Sequence, residues 1–332
     1  MPEATRVPAV ILTAGFVSAL TVTACLADTL SVAPGQLHST LSTAVAGDTL
    51  LLEAGTFRGP ITIDHSITLR GSGDTVIDGG GKGTVITVDA PRVNLERLTI
   101  TGSGQRLSTE DSGIFITAAG DGTVVKANTL VGNLIGVYLK GPDDAVVRDN
   151  QIDGLLNLRV NERGNGVQLW NTPGSIVEGN HIRYGRDGIF VTTSRNNRFH
   201  NNHFSQVRFA VHYMYTNNSS VTDNVSTGNK VGYALMYSKQ LVVTGNESKG
   251  DSQRGVFFNF TNDSHIEDNR VTPNSQHPAP EKCVFVYNSN FNTIHRNHFE
   301  SCEIGIHFTA GSEQNALWEN NFIANRNQVK YV

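Results

Sequence analysis

Along most of this chain, apolar and polar residues alternate in short runs, and nowhere beyond the first fifty residues do they recur at helical spacing. The runs themselves recur. A small residue followed by an apolar one appears at Gly113, Gly136, Gly166, Gly188, Ala210, Gly232, Gly255, Cys283 and Gly305, in steps of 23, 30, 22, 22, 22, 23, 28 and 22. A second series, Asn128, Asn150, Asn180, Asn202, Asn224, Asn246, Asn269, Asn297 and Asn320, steps by 22, 30, 22, 22, 22, 23, 28 and 23. Both series stretch in the same repeats, which places insertions near Leu156–Gly164 and Pro273–Pro280. Two ladders that share their gaps predict a repeat architecture. A unit of about 22 residues with period-2 alternation predicts an all-β parallel β-helix, three short strands per coil, with coils about 4.8 Å apart. The Leu-x-x-Leu-x-Leu frame of leucine-rich repeats is absent. Asn at a fixed corner is expected to take the left-handed turn and bond to its neighbours above and below. Residues 36–46 are expected to form a short amphipathic helix capping the first coil.

Alternation also assigns faces. One and three residues after each small residue the chain is uniformly apolar, from Val137 and Leu139 to Ile306 and Phe308, and these positions point inward. The alternate positions then point outward: Tyr138/Lys140, Gln168/Trp170, Phe190/Thr192, His212/Met214, Ala234/Met236, Phe257/Asn259, Phe285/Tyr287 and His307/Thr309. A face that met only water would be polar, yet this one carries Phe190, Phe257, Phe285, two histidines and both methionines that follow the initiator. Met214 and Met236 fall one coil apart, about 5 Å, and His212 lies about 7 Å from Met214 along the same strand. Two thioethers and an imidazole form a soft ligand set that selects Cu(I) over harder divalent ions. His307 is a further candidate ligand on the same face. Two other readings stay open: a protein-docking face in which Phe190, Phe257 and Phe285 are covered by a partner, and a Met-filled apolar surface with no ligand.

Composition narrows the options. A net charge of -4 with 17% charged residues lacks the clustered Lys and Arg of a nucleic-acid footprint. Arg6 followed by an apolar run from Val10 to Leu26, ending in small residues, predicts a signal peptide over 1–27 and a periplasmic domain over 28–332. Val22–Cys25 also fits a lipobox, so a lipid anchor at Cys25 is the minor alternative. No other segment could span a bilayer. Cys283 and Cys302 lie 19 residues apart, slightly less than a coil, and either pair as a disulfide or stand as two small buried residues.

The rival function for such a coil is carbohydrate chemistry. Hydrolysis needs paired carboxylates, and elimination needs Ca²⁺ ligands with a base. The outward columns from Gly136 onward hold no acid, and most of the scattered Asp143, Asp144, Asp149, Asp187, Asp223, Asp251, Asp263 and Asp268 fall in turns or beside the corner Asn. The non-enzymatic reading is therefore preferred over a polysaccharide lyase, hydrolase or epimerase.

The runs RFAVHYMYTNNSSVTDNVSTGNKVGYALMYS, EKCVFVYN, ESCEIGIHFTAGSEQNALWENNF and NRNQVKYV together resemble the NosD family. That resemblance implies a right-handed parallel β-helix of the carbohydrate-binding/sugar-hydrolase repeat class in the periplasm. It further implies transient handling of copper, or copper and sulfur, for maturation of nitrous oxide reductase, with an ABC transporter and a copper-donor chaperone as partners. Family members continue past QVKYV into a tail that helps dock the transporter, so an end at Val332 reads as a truncation.

Overall fold

In a computed structural model, residues 27–332 are described; the expected signal peptide and the lipobox Cys25 lie outside them, apart from Ala27. The chain winds into a parallel β-helix of three sheets with 13, 12 and 12 strands, every strand pairing in parallel with its equivalents on adjacent coils. Inward side chains of all three sheets meet in one continuous core that includes Leu69, Ile100, Val147, Phe199, Tyr213, Leu235 and Phe258. Each fully buried aliphatic or aromatic side chain contributes about 1.5–3 kcal/mol.

One sheet matters most for function. Its strands include Val167–Trp170, Asp187–Arg195, Phe209–Asn217, Val231–Met236, Arg254–Asn259, Lys282–Tyr287, Ile304–Phe308 and Asn327–Tyr331. Two of these reach nine residues, whereas most strands of the other two sheets have three.

The asparagine ladder forms as expected, with one correction. Asn150, Asn180, Asn202, Asn224 and Asn246 each offer Oδ1 to the backbone N–H of the ladder Asn one coil earlier, at 2.9–3.1 Å. Their Nδ2 groups donate to backbone carbonyls such as Val147 O and Val177 O. The left-handed residue, however, is the one before: Ala127, Asp149, Gly179, Asn201, Asp223 and Gly245 carry φ of 51–68°. The ladder Asn thus supplies buried hydrogen bonds, and its predecessor turns the chain.

The N-terminal helix is Leu37–Leu41, shorter than 36–46, with Leu37 and Leu41 buried in the core. The first insertion contains a 3-10 turn at Val160–Glu162. The second folds back so that His277 comes close to Gly228 and Gly250. Cys283 and Cys302 are joined as a disulfide, with Cα atoms 5.8 Å apart and both residues buried.

Candidate metal site and its surrounding face

Strand register sets the site. Met214 pairs with Met236 across adjacent coils, and His212 lies two residues before Met214. The side chains between them, Tyr213 and Leu235, are fully buried, so His212, Met214 and Met236 stand on the outer face, each half-buried. Phe190 precedes His212 in the same column; Ala234, Phe257, Phe285 and His307 follow it. His307 is therefore four coils from His212, about 19 Å at coil spacing, and cannot share an ion with the methionine pair. Its two ring nitrogens are shielded from water without a partner, and its ring packs on Phe285 at 5.2 Å. Burial, and then Lys282 and Lys330, hold its pKa below the ordinary value.

His212 is oriented by a carboxylate that the sequence reading misassigned. Asp187 is completely buried rather than a turn residue. It accepts two bonds from Arg208, Nε at 2.8 Å and a terminal nitrogen at 2.7 Å, and one from His212 Nδ1 at 3.0 Å. Burial alone would raise the Asp187 pKa; the His212 and Arg208 bonds outweigh it and hold the carboxyl below its ordinary range. Phe190 and Phe209 clasp the imidazole at 5.0 Å each. With Nδ1 committed to Asp187, Nε2 is the nitrogen left to ligate, the carboxylate–histidine arrangement that orients metal ligands. Nothing in the spacing of Asp187 set it apart from the other scattered acids.

The three phenylalanines are less exposed than alternation suggested. Phe257 and Phe285 stack at 5.3 Å, and the Arg254 guanidinium lies over both rings, 4.6 and 5.0 Å from their centres. The more exposed aromatics form a column that the sequence reading missed. Tyr215, Tyr237 and Phe260, 54%, 39% and 43% exposed, stack in consecutive coils at 5.1 and 5.2 Å beside the methionines. All three have φ of 49–53°, a conformation costing bulky residues about 1–3 kcal/mol each. Ring stacking contributes about 0.5–1.5 kcal/mol per pair and partly offsets that strain. An aromatic at the same offset in three successive repeats was the available signal.

Among the described residues no group of three or more His, Cys, Asp or Glu side chains could hold a metal. No described helix is long and apolar enough to cross a membrane.

The family model for NosD, described as periplasmic copper-binding protein, matches residues 148–332. The chain belongs to the NosD family. A probable ABC transporter binding protein NosD from Stutzerimonas stutzeri is 40% identical over 290 residues, covering 85% of this chain and 66% of the relative. The Pseudomonas aeruginosa protein of the same description is 39% identical over 289 residues, covering 85% and 68%. The chain thus spans about two thirds of the length of these NosD relatives. In fold, it resembles PfbA, a surface adhesin of Streptococcus pneumoniae, with a TM-score of 0.70 at 11% identity over 87% of this chain and 85% of that one. DFA-IIIase from Arthrobacter chlorophenolicus A6 gives a TM-score of 0.61 at 15% identity over 82% and 83%. An adhesin and an enzyme share the coil, so the fold assigns no chemistry to this NosD chain.

Proposed function

We propose that this NosD chain is a non-enzymatic copper carrier that takes up Cu(I) on Met214, Met236 and His212 Nε2 and releases it to nitrous oxide reductase during maturation of the copper centres. One observation carries the reading: two register-paired thioethers stand beside an imidazole whose other nitrogen is held by a buried carboxylate. Thioether and imidazole ligands suit Cu(I), and a half-buried site on one open face suits transfer better than permanent retention. Copper is cargo here, with sulfur as an accompanying cargo implied by family resemblance. The Phe257–Phe285 stack and Phe190 on the same face form the surface on which a copper donor or the reductase docks. The names of the relatives support an ABC transporter as the membrane partner.

The test is anaerobic titration of the chain with Cu(I) against a competing chelator, repeated with Met214→Leu/Met236→Leu. The double variant should lose at least about tenfold in affinity, since even outer-shell losses at metal sites cost 10–100-fold. Wild-type affinity in the double variant would end the proposal.

A further inference from the structure

A histidine pair on a different sheet is not used by the copper reading. His181 and His203 open the strands His181–Arg183 and His203–Ser205 and pair in register on adjacent coils. Their rings stack with centres 4.8 Å apart and 9° between planes. Five other imidazoles on the coils are held by polar partners, His200 by Thr222, His212 by Asp187, His265 by Thr293, His295 by Glu267 and His298 by Glu300, whereas the unpartnered His307 is packed against Phe285. Among the described residues, no side chain or backbone group hydrogen-bonds to the rings of His181 or His203.

The surroundings form a recess of about 390 Å³. Gln151 is the register partner of His181 on the preceding coil. Its Nε2 donates to Asp153 at 3.1 Å, which leaves Oε1 free to accept or ligate. Arg183 grips the same Asp153 with two bonds of 2.6 and 2.8 Å, so that cation is neutralised next to the rings. The column Gln151–His181–His203 therefore presents one amide oxygen and two imidazoles in line. A metal about 2.0 Å from each nitrogen needs the nitrogens within about 4.0 Å of one another. Their lone pairs lie in the ring planes, so the near-parallel rings must turn out of the stack to converge on one ion; both are exposed, and no hydrogen bond holds either ring against that rotation.

We propose that His181 and His203, with Gln151 Oε1 and water completing the shell, bind one borderline divalent transition-metal ion. Imidazole with oxygen suits Cu(II), Zn(II) or Ni(II), and the Irving–Williams order places Cu(II) above Zn(II). This site is independent of the thioether pair, in ligand chemistry and in position.

The experiment uses the tag-free full chain under air, titrated with Cu(II) and separately with Zn(II) by calorimetry, with electron paramagnetic resonance of the Cu(II) form. His181→Ala and His203→Ala should each lower both affinities by at least about tenfold, while their melting curves match wild type. Nitrogen splitting in the Cu(II) spectrum should drop from two imidazoles to one. Met214→Leu/Met236→Leu should leave Zn(II) binding unchanged, and acidification from pH 7.5 to 5.5 should release the ion as protons compete. The site is overturned if the histidine variants bind as wild type does, or if wild type takes up no ion at 100 µM metal, roughly the weak end of useful protein sites.

Discussion

Replacing Asp187 with Asn tests how the face orders its ligand. The carboxylate accepts three hydrogen bonds, two from Arg208 and one from His212. Asparagine has a single acceptor oxygen in the same space, and its amide N–H₂ would confront donors. Either the Arg208 fork opens or His212 is released, and a half-buried cation loses its countercharge. Breaking a buried ion pair costs about 3–5 kcal/mol; because Arg208 keeps 27% of its side chain exposed, the loss should be nearer 2–3 kcal/mol. For a chain this long that amounts to a fall of about 3–5 °C in Tm. The pH dependence has a definite sign. A carboxyl whose pKa is depressed by folding contributes stability above its unfolded pKa of about 3.9 and loses it as pH falls through the folded value. The gap between wild type and variant should therefore be full at pH 7 and shrink below pH 4. Cu(I) affinity should fall about 10–100-fold, the usual effect of losing a partner that orients a ligating histidine. Calorimetric melts at pH 7 and pH 3 and a chelator competition provide the three readings. Lowered stability with unchanged Cu(I) affinity would show that Asp187 only braces the coil and that His212 needs no orientation.

Two further outcomes follow from the same geometry. Asp251 is wholly buried, and burial drives its pKa from 3.8 up to about 6 against hydrogen bonds from Ser248 Oγ and the Asn229 N–H; a raised carboxyl pKa costs stability that grows as pH rises from the unfolded to the folded value and is full above it, so Asp251→Asn should gain about 2–3 kcal/mol at pH 7.5 in denaturant melts and flatten the profile between pH 4 and 6, and an equally sloped profile would refute this. Phe257→Glu sets a carboxylate beside Arg254 and should leave Tm within a few degrees while abolishing pull-down of the copper donor or the reductase; undiminished capture of both would remove this face as the docking surface.

The fold and the methionine pair were legible because both depend on period alone. Equal steps in two ladders fixed the coil length, and coil length fixed Met214 opposite Met236. What escaped depends on side chains meeting across the period. Asp187 shares no offset with His212, and its buried carboxylate meets Nδ1 from the start of the neighbouring coil's strand. Alternation assigns faces only to extended backbone, so it said nothing of Tyr215, Tyr237 and Phe260, which sit one residue past the outward methionine column in left-handed conformation. His307 failed as a co-ligand for a simpler reason: a shared face does not imply shared height, and four intervening steps of the ladder separate it from His212.

Stacked coils of equal thickness make the molecule a ruler with fixed graduations. Met236 lies in the strand Val231–Met236, and the strands beginning at Arg254, Lys282, Ile304 and Asn327 follow it in order. A partner gripping Asn327–Tyr331 therefore meets the thioethers four graduations away, about 19 Å. Adding or deleting one whole repeat between them would move the cargo by one graduation, about 4.8 Å, without altering a single ligand contact. Reach along the rod and chemistry at the site can thus be varied separately.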